Sequence, residues 1–335
     1  MLNFMDSIYK RERESFSPYA FLTENTAGRE SPLPADGTRT EFQRDRDRII
    51  HSNSFRRLAH KTQVFLDPEG DHYRTRLTHT LEVAQIGRSL SRALGLNEDL
   101  TEAACLGHDL GHTPFGHSGE KVLNRLYSKG FKHNEQSLRV VEKLEKNMNG
   151  LNLTREVREA ILCHTGDAPS AALEGRLVKF ADRIAYINHD IDDAIRAKIL
   201  RFEDLPSYVP NLLGNTGSER INSMVRAIIE ESGGKAEIKM RADILEAMEA
   251  LRNFLFENVY SNKVAKAEEK KAEFMLEGLY AHFVKNHELL PPEYESIIGD
   301  EGIERAVCDY IAGMTDRYSI AEYCKIFVPK TWKGD

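Results

Sequence analysis

The chain has 335 residues, 41% apolar and 30% charged, which is core material for one large or two ordinary domains and excludes a disordered chain. Lys and Arg number 46 against 53 Asp and Glu, a net charge of −7, which argues against a general duplex-binding surface without excluding a small basic pocket. Cys105, Cys163, Cys308 and Cys324 form no Cys-x-x-Cys pair, and no apolar run reaches membrane-spanning length or resembles a leader, so disulfide-scaffold, zinc-ribbon, secreted and membrane classes drop out and a cytoplasmic protein is expected.

The first element is a short helix around Met5–Glu14. A polar stretch over 24–40 with Gly28, Pro32, Pro34 and Gly37 reads as a mobile loop. Arg44 to Arg48 then alternates sign, as a solvated helix face does. Thr62–Leu66, the turn-like 67–71 and Tyr73–Arg76 suggest a short β-hairpin. Nearly everything after it is helical. Val83, Ile86 and Leu90 follow His79 on one face, and a second helix runs to about Leu110. Further helices fit 117–128, 134–147, 154–164 and 173–199. A Pro- and Gly-containing stretch over 203–218 separates these from helices near 219–232, 237–262, 267–286, 301–312 and 316–328, the last with Thr315 as N-cap. The expected fold is all-α: a helical bundle with a short β-hairpin and additional C-terminal helices. The expected division is an N-terminal arm over 1–50, a core over 51–200 and a C-terminal helical region over 201–335.

The chemistry concentrates in His108-Asp-Leu-Gly-His-Thr-Pro-Phe-Gly-His-Ser-Gly-Glu120, which holds three of the 12 histidines. A lone His-Asp dipeptide is weak evidence, but Gly111, Gly116 and Gly119 here permit close backbone approach. His79 points inward with the apolar face of its helix, and Arg76 shares that face. Two cations in a core call for an anion such as a phosphate. Around Asp182 the helical period puts Phe180, Ile184, Ile187, Ile191 and Ile195 on the core side. Asp182, Tyr186, His189 and Asp190 fall on another side, flanked by Arg183. A wet face usually favours Lys and Glu, so this stripe reads as a polar site wall. His79, His108, Asp109 and Asp182 together offer two imidazoles and two carboxylates, a set suited to a borderline-to-hard divalent metal with positions left for water and substrate oxygens.

The pattern H…HD…D resembles the HD superfamily of metal-dependent phosphohydrolases, and within it the deoxynucleoside triphosphate triphosphohydrolases, the dGTPase-like proteins. The segments that carry the resemblance are 44–65, 74–88, 108–120, 132–137, 179–193 and 309–318, spread over nearly the whole chain, with an HD domain expected at about 75–200. The resemblance implies attack of water on the α-phosphorus of a dNTP, releasing a deoxynucleoside and tripolyphosphate. It implies His117 as general acid for the leaving 5′-oxygen, with Glu120, three residues on, as its orienter. Arg76, His112, His133 and Arg183 are expected around the triphosphate, Tyr186 at the phosphates or sugar, and Asp190 and Gln63 at the 3′-hydroxyl. Arg56, Arg57 and Lys61 fit phosphate contact and solvent equally well. His164 fits a core role, His189 has no assigned role, and Asp316-Arg317-Tyr318 reads as support for the pocket or a subunit contact. The expected cofactor is a divalent ion, Mn²⁺ or Mg²⁺ foremost, with Fe²⁺, Ni²⁺ or Zn²⁺ as alternatives. A dNTP effector and a homo-oligomer, dimer to hexamer, are expected partners, and single-stranded DNA is not favoured. The competing readings are another HD phosphohydrolase, acting on monophosphates, cyclic nucleotides or alarmones, and a dNTP sensor with little turnover.

Overall fold

Apolar periodicity turns into helix along nearly the whole chain, and no β-sheet forms among the described residues. The computed structural model describes residues 4–63, 74–260 and 263–330. The helices are α1 (Phe4–Ser15), α2 (Glu41–Ile50), α3 (Asn53–Arg57), α4 (Arg76–Leu94), α5 (Glu98–Gly107), α6 (Gly116–Leu126), α7 (His133–Arg139) and α8 (Glu145–Met148), a single distorted turn. After these come α9 (Arg155–Cys163), α10 (Leu173–Arg196), α11 (Gly217–Ser232), α12 (Ala242–Asn258), α13 (Lys263–Lys285), α14 (Glu295–Glu301), α15 (Ile303–Gly313) and α16 (Asp316–Phe327). Most of the expected hairpin, 64–73, lies outside the described residues; its flanks meet in one isolated antiparallel bridge, Thr62 to Thr75.

Two apolar clusters organise the chain. The larger gathers α4, α5 and α10 with α2, α9, α11 and α12 around them. Ile184, Ile187 and Ile191 are fully buried in it, each worth about 2–3 kcal/mol of burial. Gly87 lets α4 meet α5 closely, since a Cβ there would lie 2.8 Å from Cys105 Sγ. The second cluster joins α6 to α13 and α15 through Val122, Leu123, Leu276, Leu279, Val307 and Ile311. The segment 108–116 runs between the two, with Leu110 in the first and Phe115 in the second.

Three expectations change. The helix expected over 134–147 stops at Arg139; a π-turn (Val140–Leu144) follows, and Lys146, Asn147 and Met148 take φ of 50°, 54° and 63°. The wide turn leaves the Val141 carbonyl to accept the Leu151 N–H at 2.6 Å, which reverses the chain. The 24–40 segment is irregular but tied down: the nearly buried Arg29 binds Glu41, Asp45 and the Asn152 carbonyl. The same network overturns the solvated reading of Asp45, which is fully buried and also accepts from the Thr154 amide at 2.9 Å. Thr315 caps α16 as expected, accepting from the Tyr318 amide.

Candidate active site

Three elements deliver the quartet anticipated for a metal. α4 starts at a Thr75–Thr78 capping box, which sets the first turn that carries Arg76 and His79. α5 ends at Gly107, so His108 and Asp109 leave the helix in a tight turn. Asp182 sits midway along α10. His79 Nε2 lies 3.1 Å from Asp182 Oδ1, and His108 Nε2 lies 3.5 Å from Asp109 Oδ1 and 3.9 Å from Asp182 Oδ1. One ligand atom each from His79, His108 and Asp109 falls within 4.8 Å of the others. Asp182 joins that group through both imidazoles.

The protonation pattern suits a cation. His108 Nδ1 is 2.6 Å from the Cys105 carbonyl, which can only accept, so Nδ1 carries the proton. Nε2 is buried and has no hydrogen-bond partner. Burial alone would lower the His79 pKa, but the hydrogen bond and charge of Asp182 outweigh it and raise the value. Burial pushes Asp182 up; the His79 bond and the His108 and His79 charges bring it down to about 2. His79 and Asp182 thus favour a proton between them, and a divalent ion bound by the same atoms would compete with it. Arg76 Nη1 donates to Asp109 Oδ2 at 2.6 Å, so one carboxylate oxygen is held by Arg76 while the other faces His108. The anion sought for Arg76 is therefore supplied first by the protein itself, although its Nε remains buried without a partner.

The His108 turn is fixed from behind by α7. Ser137 Oγ donates to the His108 carbonyl at 2.6 Å and accepts the Gly111 N–H at 2.9 Å. Gly111 is required here, because a Cβ would stand 2.1 Å from the Ser137 nitrogen. Asn134 donates to the Leu162 carbonyl, and Gln136 to Asp309, which explains the polar run over 132–137.

Beside the quartet lies a row of imidazoles that spacing did not reveal. His164, expected in the core, is indeed buried, but between His108 (ring centroids 5.1 Å apart) and His133 (5.3 Å). His133 in turn stacks on His112 at 4.8 Å. The His164 Nδ1 donates to the Ile161 carbonyl at 2.7 Å, so its Nε2 accepts from His133 Nε2 at 3.2 Å. His133 Nδ1 faces Glu120 at 3.0 Å and 3.1 Å, and its backbone N–H bonds the same carboxylate at 2.9 Å. Both nitrogens of His133 thus donate, and the ring is an imidazolium. Burial opposes this, but Glu120's hydrogen bond and charge prevail and raise the His133 pKa. Burial likewise pushes Glu120 up, and its contacts with His117 and His133 outweigh it and hold the carboxyl well below the usual range. His117 Nδ1 lies farther from Glu120, at 3.6 Å, with its side chain 76% exposed. His112 is kept neutral by burial and by the Arg76 charge.

The other anticipated contacts are scattered around this centre. Gln63 is half-buried with Oε1 unpartnered, Arg183 pairs with Glu249 at 2.9 Å, and Tyr186 is half-buried. Asp190 accepts from Tyr260, a partner 70 positions away, and burial pushes its pKa to about 7 although that bond pulls the other way. His189 is buried against His79, ring centroids 6.0 Å apart, and burial with the His79 and Arg74 charges lowers it to about 2. Lys61 does not face solvent: it is buried and donates to the His112 and Ala312 carbonyls. A cavity of about 150 Å³ lies behind the Leu110–Gly111 turn, bounded by Arg57, Gln136, Lys146 and Tyr294, and no histidine lines it.

Comparison with known proteins gives this geometry a family. The HD domain matches residues 76–187, and a phosphohydrolase-associated domain matches 238–325. A deoxyguanosinetriphosphate triphosphohydrolase-like protein of Caldanaerobacter subterraneus subsp. tengcongensis is 56% identical over 321 residues, covering 96% of this chain and 95% of its own. One from Clostridium perfringens is 50% identical over 334 residues, covering 97% and 98%. A crystal structure of a phosphohydrolase from Bacteroides thetaiotaomicron shares the fold, with a TM-score of 0.53 at 20% identity, over 83% of this chain and 67% of that one. No described helix is long and apolar enough to cross a membrane. By length and degree of identity, the chain belongs to the deoxyguanosinetriphosphate triphosphohydrolase-like family of HD-domain phosphohydrolases.

Proposed function

We propose that the protein hydrolyses deoxynucleoside triphosphates at the α-phosphorus, yielding a deoxynucleoside and tripolyphosphate. The observation that carries this reading is the gathering of His79, His108, Asp109 and Asp182 beside the imidazolium of His133, which Asp109 and His112 adjoin, with Arg76 bonded to Asp109. The quartet would hold Mn²⁺ or Mg²⁺, which supplies charge for the phosphoryl oxygens and a more acidic water. Arg76, His112, His133 and Arg183 would bind the anionic triphosphate, with the cation on His133 retained by Glu120. His117 would deliver the proton to the leaving 5′-oxygen. Its exposed ring sits 3.6 Å from Glu120, so a small rotation brings it onto the carboxylate that orients it. Tyr186, Gln63 and Asp190 would line the sugar, where a wall against C2′ would reject ribose.

Apolar side chains on the C-terminal helices, among them Phe274, Ile320 and Phe327, are exposed and support a homo-oligomer. The four cysteines are all free, which fits a reducing cytosol. The deciding experiment incubates purified protein with each dNTP, singly and mixed, with Mn²⁺ or Mg²⁺, and identifies the phosphate product. Tripolyphosphate is expected. Pyrophosphate or orthophosphate alone would assign the site to another HD phosphohydrolase, and binding without product would make it a sensor.

A further inference from the structure

α6 carries His117 and Glu120, yet no side chain caps its N-terminus. The chain enters it through Phe115 (φ 58°, ψ 28°) and Gly116 (φ 55°), two left-handed residues in succession. Phenylalanine is an unfavourable residue for that conformation, so something outside must hold the turn. The holder comes from the far end of the sequence. Asp316, on the first turn of α16 and 3% exposed, accepts the Phe115 N–H on Oδ1 at 2.9 Å. Its Oδ2 accepts the Thr62 N–H at 2.8 Å and the Thr62 hydroxyl as well. One carboxylate therefore joins the 112–116 loop to the residue beside Gln63. Lys61 duplicates the link, joining the His112 and Ala312 carbonyls. The loop transmits its position to α6, because Gly119 packs so tightly that a Cβ would stand 2.1 Å from the Pro114 carbonyl.

We infer that Asp316 is a positioning residue for the hydrolysis, setting the register of His112, His117 and Glu120 from the C-terminal region. The inference rests on the reading of the site given under Proposed function. The metal quartet has further supports of its own: His79 and Asp182 stand on the long helices α4 and α10, and His108 is held by Ser137, so that Asp316 reaches it only through the Thr62–Thr75 bridge at the start of α4. Removing the Asp316 carboxylate should thus loosen the proton-transfer side and leave the quartet alone.

The test compares wild type with Asp316→Ala and Asp316→Asn, reading kcat, KM, bound Mn²⁺ and amide exchange of the 111–118 segment. Asp316→Ala should lower kcat about 100-fold, the cost of a misplacement near an ångström, with a smaller rise in KM through His112, bound metal at the wild-type level and faster exchange over 111–118. Asp316→Asn keeps one accepting oxygen and should fall between; it also decides the matter if the alanine variant does not fold. Wild-type kcat in both variants, unchanged exchange, or loss of metal in parallel with activity would overturn the inference. A wild-type protein that turns over no deoxynucleotide would instead sink the proposed reaction, and the exchange measurement would still decide whether Asp316 holds the loop.

Discussion

Glu120 serves two histidines unequally. Its close bonds run to His133, whereas His117 stands at 3.6 Å on an exposed rotamer. His117→Ala should therefore leave the fold and the bound metal intact and lower turnover by about 10²–10⁴-fold, the usual worth of a general acid. Single-turnover rates and metal content on the same preparation check this; an unchanged rate would shift proton delivery to His133. Asp190 offers a second measurement. Its folded pKa is about 7 against a usual 3.8, so the neutral form is favoured by burial. The protonated carboxyl is undisturbed below about pH 4, and stability is lost as pH rises through 7. Asp190→Asn mimics the neutral form. In metal-free protein it should match wild type near pH 4 and gain stability relative to it up to pH 8, by at most about 4 kcal/mol. Urea melts across that range would show the widening gap, and a constant difference would contradict it.

Among the elements, the turn after α5 leaves no room for a larger residue at Gly111. In Gly111→Ala the new methyl meets backbone atoms of Gln136 and Ser137 at 2.3 Å and 2.1 Å, which cannot swing aside as a flexible side chain would. The variant should lose about 1–3 kcal/mol of stability and release its metal, because Ser137 then no longer holds His108. Thermal melts with metal analysis test both halves. The long helices were legible because α4 and α10 repeat apolar residues at the helical period, and the candidate quartet was legible because His and Asp so placed on inward faces have few other uses. The π-turn after α7 was not legible: Val140 to Leu144 reads as continuous helix, and only the capture of the Leu151 amide reveals the break. α14 spans only Glu295–Glu301, too short for periodicity to register. Contacts between distant positions were equally hidden, since nothing near Asp316 announces Phe115, 201 positions away. The burial of His164 was legible and its company was not: an apolar pattern tells that a side chain is buried, but not that its neighbours are other imidazoles.

At the scale of the molecule, the candidate metal residues stand on or beside helices of the larger apolar cluster, and His117 stands on a helix of the smaller. His79 and Asp182 are 103 positions apart and meet only in the folded chain, so an unfolded chain has no comparable site. Metal binding should then stabilise the fold by linkage, about 2.7 kcal/mol at a hundredfold excess over Kd, and EDTA should reverse it. Differential scanning calorimetry of the chelated protein, with and without Mn²⁺, should show a Tm rise of several degrees; a Tm insensitive to both would mean that the quartet holds no ion.

The left-handed corner at Lys146, Asn147 and Met148 offers a route to heat tolerance that spares the chemistry. Lys146 is exposed and its φ of 50° suits glycine better than any residue with a Cβ. Lys146→Gly should relieve about 1 kcal/mol of conformational strain, visible as a higher urea midpoint with kcat unaltered. A hardier protein would then be obtained by editing a bend that carries none of the candidate site residues.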